Sequence, residues 1–188
     1  MLHAPITVDR DRWLRVPLDF TDEPWPDQLA WARWLAIETQ PEAPERRERI
    51  ERLALALAAL PSAGVSARYW HYPCDGEPGP ALDVAVSRPD PVRLLRPVPP
   101  RAVVEPMELP LELPGFDDAA RRRSLLATGD QPDGPVLAVV EWAARVDGVV
   151  VDMLAADTDP ARLSRLVVDG DALLAGLDGR ALAAMVEA

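Results

Sequence analysis

Two apolar runs near the C-terminus flank the dipeptide Asp147-Gly148. Asp-Gly is a preferred pair for a two-residue type I′ hairpin turn, because both central residues of that turn adopt positive φ. The turn would place Trp142 opposite Met153 and would make every pair on that face apolar, while the other face mixes apolar and charged residues. The pattern therefore predicts a long β-hairpin over 136–155, with one face packed on a core.

The apolar pattern predicts further elements before and after this hairpin. Alternation of apolar and polar residues is typical of half-buried strands, and Pro17 and Pro110 favour edge positions for two of them. Pro44 and Pro160 suit the first positions of helices. The predicted strands are 13–20, 65–72, 81–87, 107–113, 136–146 and 149–155, and the predicted helices are 27–39, 44–60, 160–168, 171–177 and 179–186, with a break at Asp169-Gly170.

These elements predict an α+β fold. About six largely antiparallel strands would form a single sheet, covered by the N-terminal and C-terminal helices. At 188 residues the chain is long enough for one domain with a sizeable core, so we expect a single domain over 1–188. The segment 87–100 contains five prolines and is predicted to be a semi-rigid excursion.

The predicted helix at 27–39 is apolar around nearly its whole circumference. Trp31 and Trp34 lie on it and Trp25 just precedes it, so three of the six tryptophans are gathered here. Such a helix is either enclosed in a core or docked on another molecule. Large aromatic side chains serve in both places, so both interpretations stay open. The second makes Trp25, Trp31 and Trp34 candidate anchors for a protein partner.

Composition narrows the class of partner. A net charge of −11 argues against binding to nucleic acid or to an anionic membrane surface, and it suits a basic protein partner. All 20 basic residues are arginine and asparagine is absent, which is typical of a GC-rich bacterial genome. The sequence shows no signal-peptide pattern, no long apolar run and one cysteine, Cys74, so we expect a cytoplasmic protein without a membrane span.

Motifs for catalysis and for cofactor binding are absent from the sequence. The lack of lysine excludes a phosphate-loop lysine and a Schiff-base lysine. His3, His71 and Cys74 are too few for a tetrahedral zinc site. We therefore expect no enzymatic activity, no cofactor and no metal.

One group of residues deserves comparison with catalytic sites: Trp70, His71, Cys74 and Asp75, at the end of a predicted strand. A cysteine and a histidine three residues apart could form a thiolate–imidazolium pair, with Asp75 orienting the ring. Catalytic pairs of this kind usually come from distant segments, which favours a strand-end histidine and an incidental thiol. The alternative function for the chain is a small-ligand binder or minor enzyme with a pocket at these residues.

Arg121, Arg122 and Arg123 form the basic cluster of the sequence. Three guanidinium groups could bind a phosphate or an acidic peptide of a partner. The acidic residues around them favour a solvated turn instead.

Five stretches can be compared with a known fold family: an opening Val16-Pro17-Leu18-Asp19-Phe20 before Trp25, Glu141-Trp142, Asp147-Gly148, Thr158-Asp159-Pro160, and Asp171-Ala172-Leu173-Leu174. Together they resemble the PsbP-like fold family over about a third of the chain. The resemblance implies an antiparallel sheet covered by helices and a mostly non-catalytic family that acts by binding proteins. The helices at 27–60 and the excursion at 87–100 depart from the family pattern.

Together these features predict a non-enzymatic, cytoplasmic interaction protein: an adaptor, a chaperone or an assembly subunit. It would contact another protein, or a second copy of itself, through the tryptophan-rich helix or a proline-marked edge strand.

Overall fold

The computed structural model of the protein describes residues 6–74, 76–88, 94–95, 97, 100–129 and 134–187. More than half of the proline-rich excursion at 87–100 lies outside the described residues. The strands are β1 (Trp13–Val16), β2 (Ala67–His71), β3 (Ala81–Ser87), β4 (Met107–Pro110), β5 (Asp118–Ala127), β6 (Val136–Val146) and β7 (Val149–Asp157). The helices are α1 (Gln28–Thr39), α2 (Pro44–Ala58), α3 (Pro160–Ala175) and α4 (Gly179–Glu187).

Within the described residues, the strands form one antiparallel sheet in the order β1-β2-β3-β7-β6-β5-β4. The predicted α+β fold, an antiparallel sheet with N-terminal and C-terminal helices, is confirmed. β1 and β4 are the edge strands, as their prolines indicated: Pro110 ends β4, and Pro17 directly follows β1. The seventh strand, β5, had not been predicted.

The central hairpin of β6 and β7 follows the predicted register. Trp142 pairs with Met153 and Val146 with Val149. Asp147 has φ of 48° and Gly148 has φ of 75°, so both turn residues occupy the left-handed region that the type I′ turn requires. The apolar pairs of this hairpin form the centre of the core.

β5 corrects the prediction of a solvated turn around the arginine cluster. Residues 118–127 form a ten-residue strand that pairs with β6 along its whole length, and Arg122 is 1% exposed. The sequence pattern missed this strand because three consecutive arginines hide its alternation. Carboxylates from other elements neutralise two of the three charges: Asp171 of α3 pairs with Arg121, and Glu141 of β6 pairs with Arg122.

α3 corrects a second prediction, the helix break at Asp169-Gly170. The helix continues through both residues to Ala175. A Cβ atom on Gly170 would lie 2.6 Å from the Trp142 indole, so this glycine permits close packing of the helix on the sheet and does not end it. The predicted start of the helix is confirmed: Asp159 caps it and Pro160 is its first residue.

Helices cover both faces of the sheet. α3 and α4 enclose a large core on one face, which contains Trp142, Met153 and Leu166. α1 and α2 enclose a smaller core on the other face, over β1 and β2. Neighbouring residues of β2 alternate between the cores, so that Tyr69 enters the larger one and Trp70 the smaller one.

A buried arginine attaches α2 to the sheet. The guanidinium of Arg68, on β2, donates to the main-chain oxygens of Leu57, Leu60 and Pro61 at distances of 2.8 to 3.1 Å. It also donates to both carboxylate oxygens of Asp83 on β3, at 2.6 and 2.9 Å. The side chain therefore satisfies carbonyl groups at the C-terminal end of α2, where a cation is also favoured by the helix dipole.

Candidate interaction surface and a neighbouring cavity

The outer face of α1, which we define as Leu29, Trp34 and Ile37, is apolar and exposed. Trp34 is 43% exposed and Ile37 is 54% exposed. These side chains lie on the side of the helix opposite Trp31 and Leu35, which pack in the smaller core. The helix that the sequence showed to be apolar all round is thus buried on one side and uncovered on the other.

Two tryptophans organise this surface. The rings of Trp25 and Trp34 lie 4.7 Å apart between centroids with an interplanar angle of 44°. Trp25 is half-buried and also packs against the smaller core, so it supports Trp34 from the side. Asp27 caps α1 by accepting a hydrogen bond from the Ala30 amide at 2.8 Å, which fixes the start of the helix beside this pair.

Trp31 requires a correction among the predicted anchors. It is 2% exposed and belongs to the smaller core, so its side chain is not available to a partner of the folded chain. The structure thus separates two residues that the sequence could not distinguish: Trp31 faces the core, and Trp34 faces solvent.

The proline-marked edge strand is the second predicted contact surface. All four residues of β4 are exposed, Met107 most of all, and an apolar groove of about 230 Å³ lies between this edge and α3. β4 is short, however, and Pro110 has no N–H to donate. Alternate N–H groups of an edge strand point inward to its neighbour, so β4 leaves little backbone for an added strand.

Two of the three residues of the arginine cluster form ion pairs within the fold. Arg122 donates to Glu141 at 2.6 and 2.8 Å and contacts Glu108 at 3.3 Å. Arg121 pairs with Asp171, whose other oxygen accepts from the Trp142 indole N–H at 2.7 Å. Of the three predicted partner-binding arginines, Arg122 is therefore buried, Arg121 is engaged within the fold, and Arg123 lines the apolar groove beside β4.

His71 is held by a residue from a distant part of the chain. Its Nε2 lies 2.7 Å from Oδ2 of Asp169 on α3, and its ring packs 5.0 Å from that of Trp13. The histidine is 4% exposed. Asp169 is the carboxylate seen to orient the ring, while the predicted orienting residue, Asp75, lies outside the described residues.

Cys74 and Trp70 differ in exposure. Cys74 is exposed, and its Sγ is 4.0 Å from an oxygen of Asp11. The indole N–H of Trp70 donates to the Gly79 carbonyl at 2.9 Å, within the smaller core. The contacts of the described residues thus pair His71 with Asp169 and give no hydrogen bond between His71 and Cys74.

A cavity of about 670 Å³ opens beside Cys74. Its walls come from the turn between α1 and α2, the first turns of α2, the start of β1 and the loop after β2. Sequence reasoning placed a pocket near this loop but did not identify the residues that α2 contributes, because the contact depends on tertiary packing. The charged and polar residues on its walls are Arg10, Thr39, Gln40, Arg46, Arg49, Tyr72, Cys74 and Glu77.

Burial perturbs one phenol near the cores. Desolvation raises the pKa of Tyr69 above its ordinary value, and the nearby Arg15 guanidinium opposes part of this rise. Among the described residues, no cluster of three or more His, Cys, Asp or Glu side chains could hold a metal ion. Every helix in the described part of the chain is too short or too polar to cross a membrane.

Comparisons with protein-family models, with curated proteins and with solved structures find no match to this chain.

Proposed function

We propose that the protein is a non-enzymatic interaction module that binds another protein through the outer face of α1. The observation that carries the proposal is the exposure of Trp34, Ile37 and Leu29 together on one side of a helix whose other side is buried. Tryptophan is enriched among the residues that dominate binding energy at protein interfaces. Trp34 and Ile37, three positions apart on α1, also match the spacing of the anchors with which a helix enters a groove.

The surface is pre-organised for binding. α1 is capped at Asp27 and anchored by its buried side, while Trp25 limits the freedom of the Trp34 ring. Docking therefore orders few side chains, and little binding free energy is lost to conformational entropy.

Charge indicates the chemistry of the partner. Arg33 is exposed between Leu29 and Ile37 on α1, but its guanidinium lies 3.4 Å from Glu51 of α2. Exposed Glu38 and Asp27 border the apolar residues. The whole chain has a net charge of −11. A partner with an apolar groove and a basic rim would complement this surface and would be steered toward it.

The PsbP-like resemblance supports the same proposal. The β6–β7 hairpin and the Asp159-Pro160 helix start, which carry most of that resemblance, have the geometry that the sequence pattern predicted. Membership of the family is itself a prediction, and with it the expectation of a protein that acts by binding proteins.

The experiment compares three variants for binding to a partner. A protein captured from a lysate of the source organism at low salt is purified and titrated calorimetrically against the wild type and each variant. Trp34→Ala and Ile37→Asp are expected to weaken binding at least tenfold, since truncation of an interface anchor costs about 2 kcal/mol or more. Val168→Asp is the matched control, because Val168 is an exposed apolar residue on α3. It is expected to bind like the wild type, and binding should weaken as salt rises.

Two results would overturn the proposal. Equal affinity of the wild type and Ile37→Asp for the purified partner would place the contact elsewhere. A wild-type dimer that Ile37→Asp converts to a monomer in sedimentation velocity would make the occupant a second copy of this chain. Thermal unfolding separates loss of binding from loss of folding: Trp34→Ala should stay folded, whereas Trp31→Ala should lose about 3–5 kcal/mol of stability.

A further inference from the structure

The cavity beside the α1–α2 turn is basic in an acidic protein. Arg10, Arg46 and Arg49 line it, and Glu77 is the carboxylate among its described lining residues. Three positive charges and one negative charge give these residues a net formal charge of +2, whereas the whole chain carries −11. Arginine side chains spread evenly over the surface would not produce this local excess.

Among the described residues, the arginines of the cavity form no strong ion pair with a carboxylate. Arg49 lies 3.6 Å from Glu77, and both side chains are more than half exposed. Exposed pairs of this kind contribute little and are readily exchanged for a ligand. Asp11, whose Oδ1 lies 4.0 Å from Cys74 Sγ, is another carboxylate close to this site. By contrast Arg47, which does not line the cavity, donates to the main-chain oxygens of Gln40 and Pro41 and so stabilises the turn that forms one wall.

Neutral groups on the walls supply further donors and an apolar floor. The Gln40 amide donates to the Tyr72 hydroxyl at 3.0 Å, and the Tyr72 O–H proton has no acceptor among the described residues. Leu14 and Ile50 add apolar surface. The volume of about 670 Å³ falls in the range of small-molecule sites and far exceeds that of an inorganic anion.

We propose that this cavity binds a small organic phosphate monoester, with its dianion held by Arg10, Arg46 and Arg49 and its organic part against Leu14 and Ile50. Guanidinium groups match the oxygens of a phosphate and bind them with charge-assisted hydrogen bonds. A dianion balances the charge of +2 on the described lining residues. The site is separate from the outer face of α1, so the proposal does not depend on the interaction surface.

Calorimetric titration with phenyl phosphate at low salt tests the ligand class. Phenyl phosphate is expected to bind saturably, with an affinity at least tenfold above that of benzoate, and phenol is expected not to bind. Arg46→Gln and Arg10→Gln should each weaken binding about tenfold, since each substitution removes charge-assisted hydrogen bonds to the phosphate. Arg52→Gln is the matched control, an exposed arginine of α2 that does not line the cavity.

Cys74 provides a second readout within the unmodified protein. It is the single cysteine of the chain, it is exposed, and it lines the cavity. Phenyl phosphate should slow its reaction with the dianionic reagent dithionitrobenzoate, and Arg46→Gln should abolish this protection. The proposal is overturned if phenyl phosphate neither binds nor protects Cys74, if benzoate binds as tightly, or if Arg52→Gln weakens binding as much as Arg46→Gln.

Discussion

At the scale of single residues, the direction in which a side chain points decides its role more than the residue type does. Trp31 and Trp34 are three positions apart on α1, yet Trp31 packs in the smaller core and Trp34 faces solvent. Tyr69 and Trp70 are adjacent on β2 and enter different cores. Burial of Tyr69 has a measurable consequence, because it disfavours the charged form of the phenol.

The raised pKa of Tyr69 predicts a loss of stability at alkaline pH. The folded state holds the phenol proton more tightly than the unfolded state does. Its contribution is therefore fully present below the unfolded pKa, about 10, and is lost as pH rises through the folded value. Urea unfolding of the wild type and of Tyr69→Phe between pH 8 and pH 11 measures the effect. The difference between them should be constant below pH 9 and should then change in favour of Tyr69→Phe, by at most about 1.4 kcal/mol per pH unit.

The chain has no lysine, so few other side chains change charge in this interval. A difference between the two proteins that stays constant up to pH 11 would contradict the prediction.

At the scale of elements, local signals predicted most of the helices and strands. Asp147-Gly148 defined the hairpin turn, and Asp159 with Pro160 defined the start of α3, because turn and cap chemistry depend only on neighbouring residues. Gly170 misled the same reasoning. Its role depends on Trp142, a residue of another element, and no local pattern carries that information.

Gly170→Ala should destabilise the protein even though alanine is the better helix former. The new Cβ would lie 2.6 Å from the Trp142 ring, which is itself held by Asp171 through a hydrogen bond of 2.7 Å. Overpacking typically costs about 1–3 kcal/mol, and alanine recovers about 1 kcal/mol of helix propensity. The expected net change is a loss of up to about 2 kcal/mol in the free energy of unfolding, measured by urea denaturation.

Gly176→Ala, at the end of the same helix, is the control. Gly176 has φ of −86°, and the nearest atom to its added Cβ would be 3.4 Å away. This substitution should be nearly neutral or slightly stabilising. If Gly170→Ala behaved like Gly176→Ala, the close contact with Trp142 would not be what selects glycine at this position.

At the scale of the whole molecule, the fold class was predictable and the long-range pairs were not. Six of the seven strands, the two edge positions and the covering helices follow from periodicity and from proline positions. The pairing of His71 with Asp169 joins residues 98 positions apart, and the Arg122–Glu141 pair joins two strands. A single sequence contains no signal for such pairs, because any of its 31 acidic residues could serve. For the same reason, the arginines of the cavity were not recognised as a group.

The prediction of a single domain over 1–188 can now be tested through the two cores. They lie on opposite faces of one sheet, and β2 contributes side chains to both. If they unfold together, Ile50→Ala in the smaller core and Leu166→Ala in the larger one should each lower the urea midpoint of the whole protein. Each loss should be about 2–5 kcal/mol, and far-ultraviolet circular dichroism and tryptophan fluorescence should follow one transition in both variants.

Separate transitions, with Ile50→Ala shifting only one of them, would instead show that α1 and α2 form a unit whose stability is independent of the larger core. A cooperative result has a consequence for binding, because Trp31 and Ile50 belong to the same small core and lie behind the outer face of α1. A partner bound to the outer face of α1 would then stabilise the entire sheet, because it binds the folded state only. This stabilisation rises with the concentration of the partner relative to its Kd.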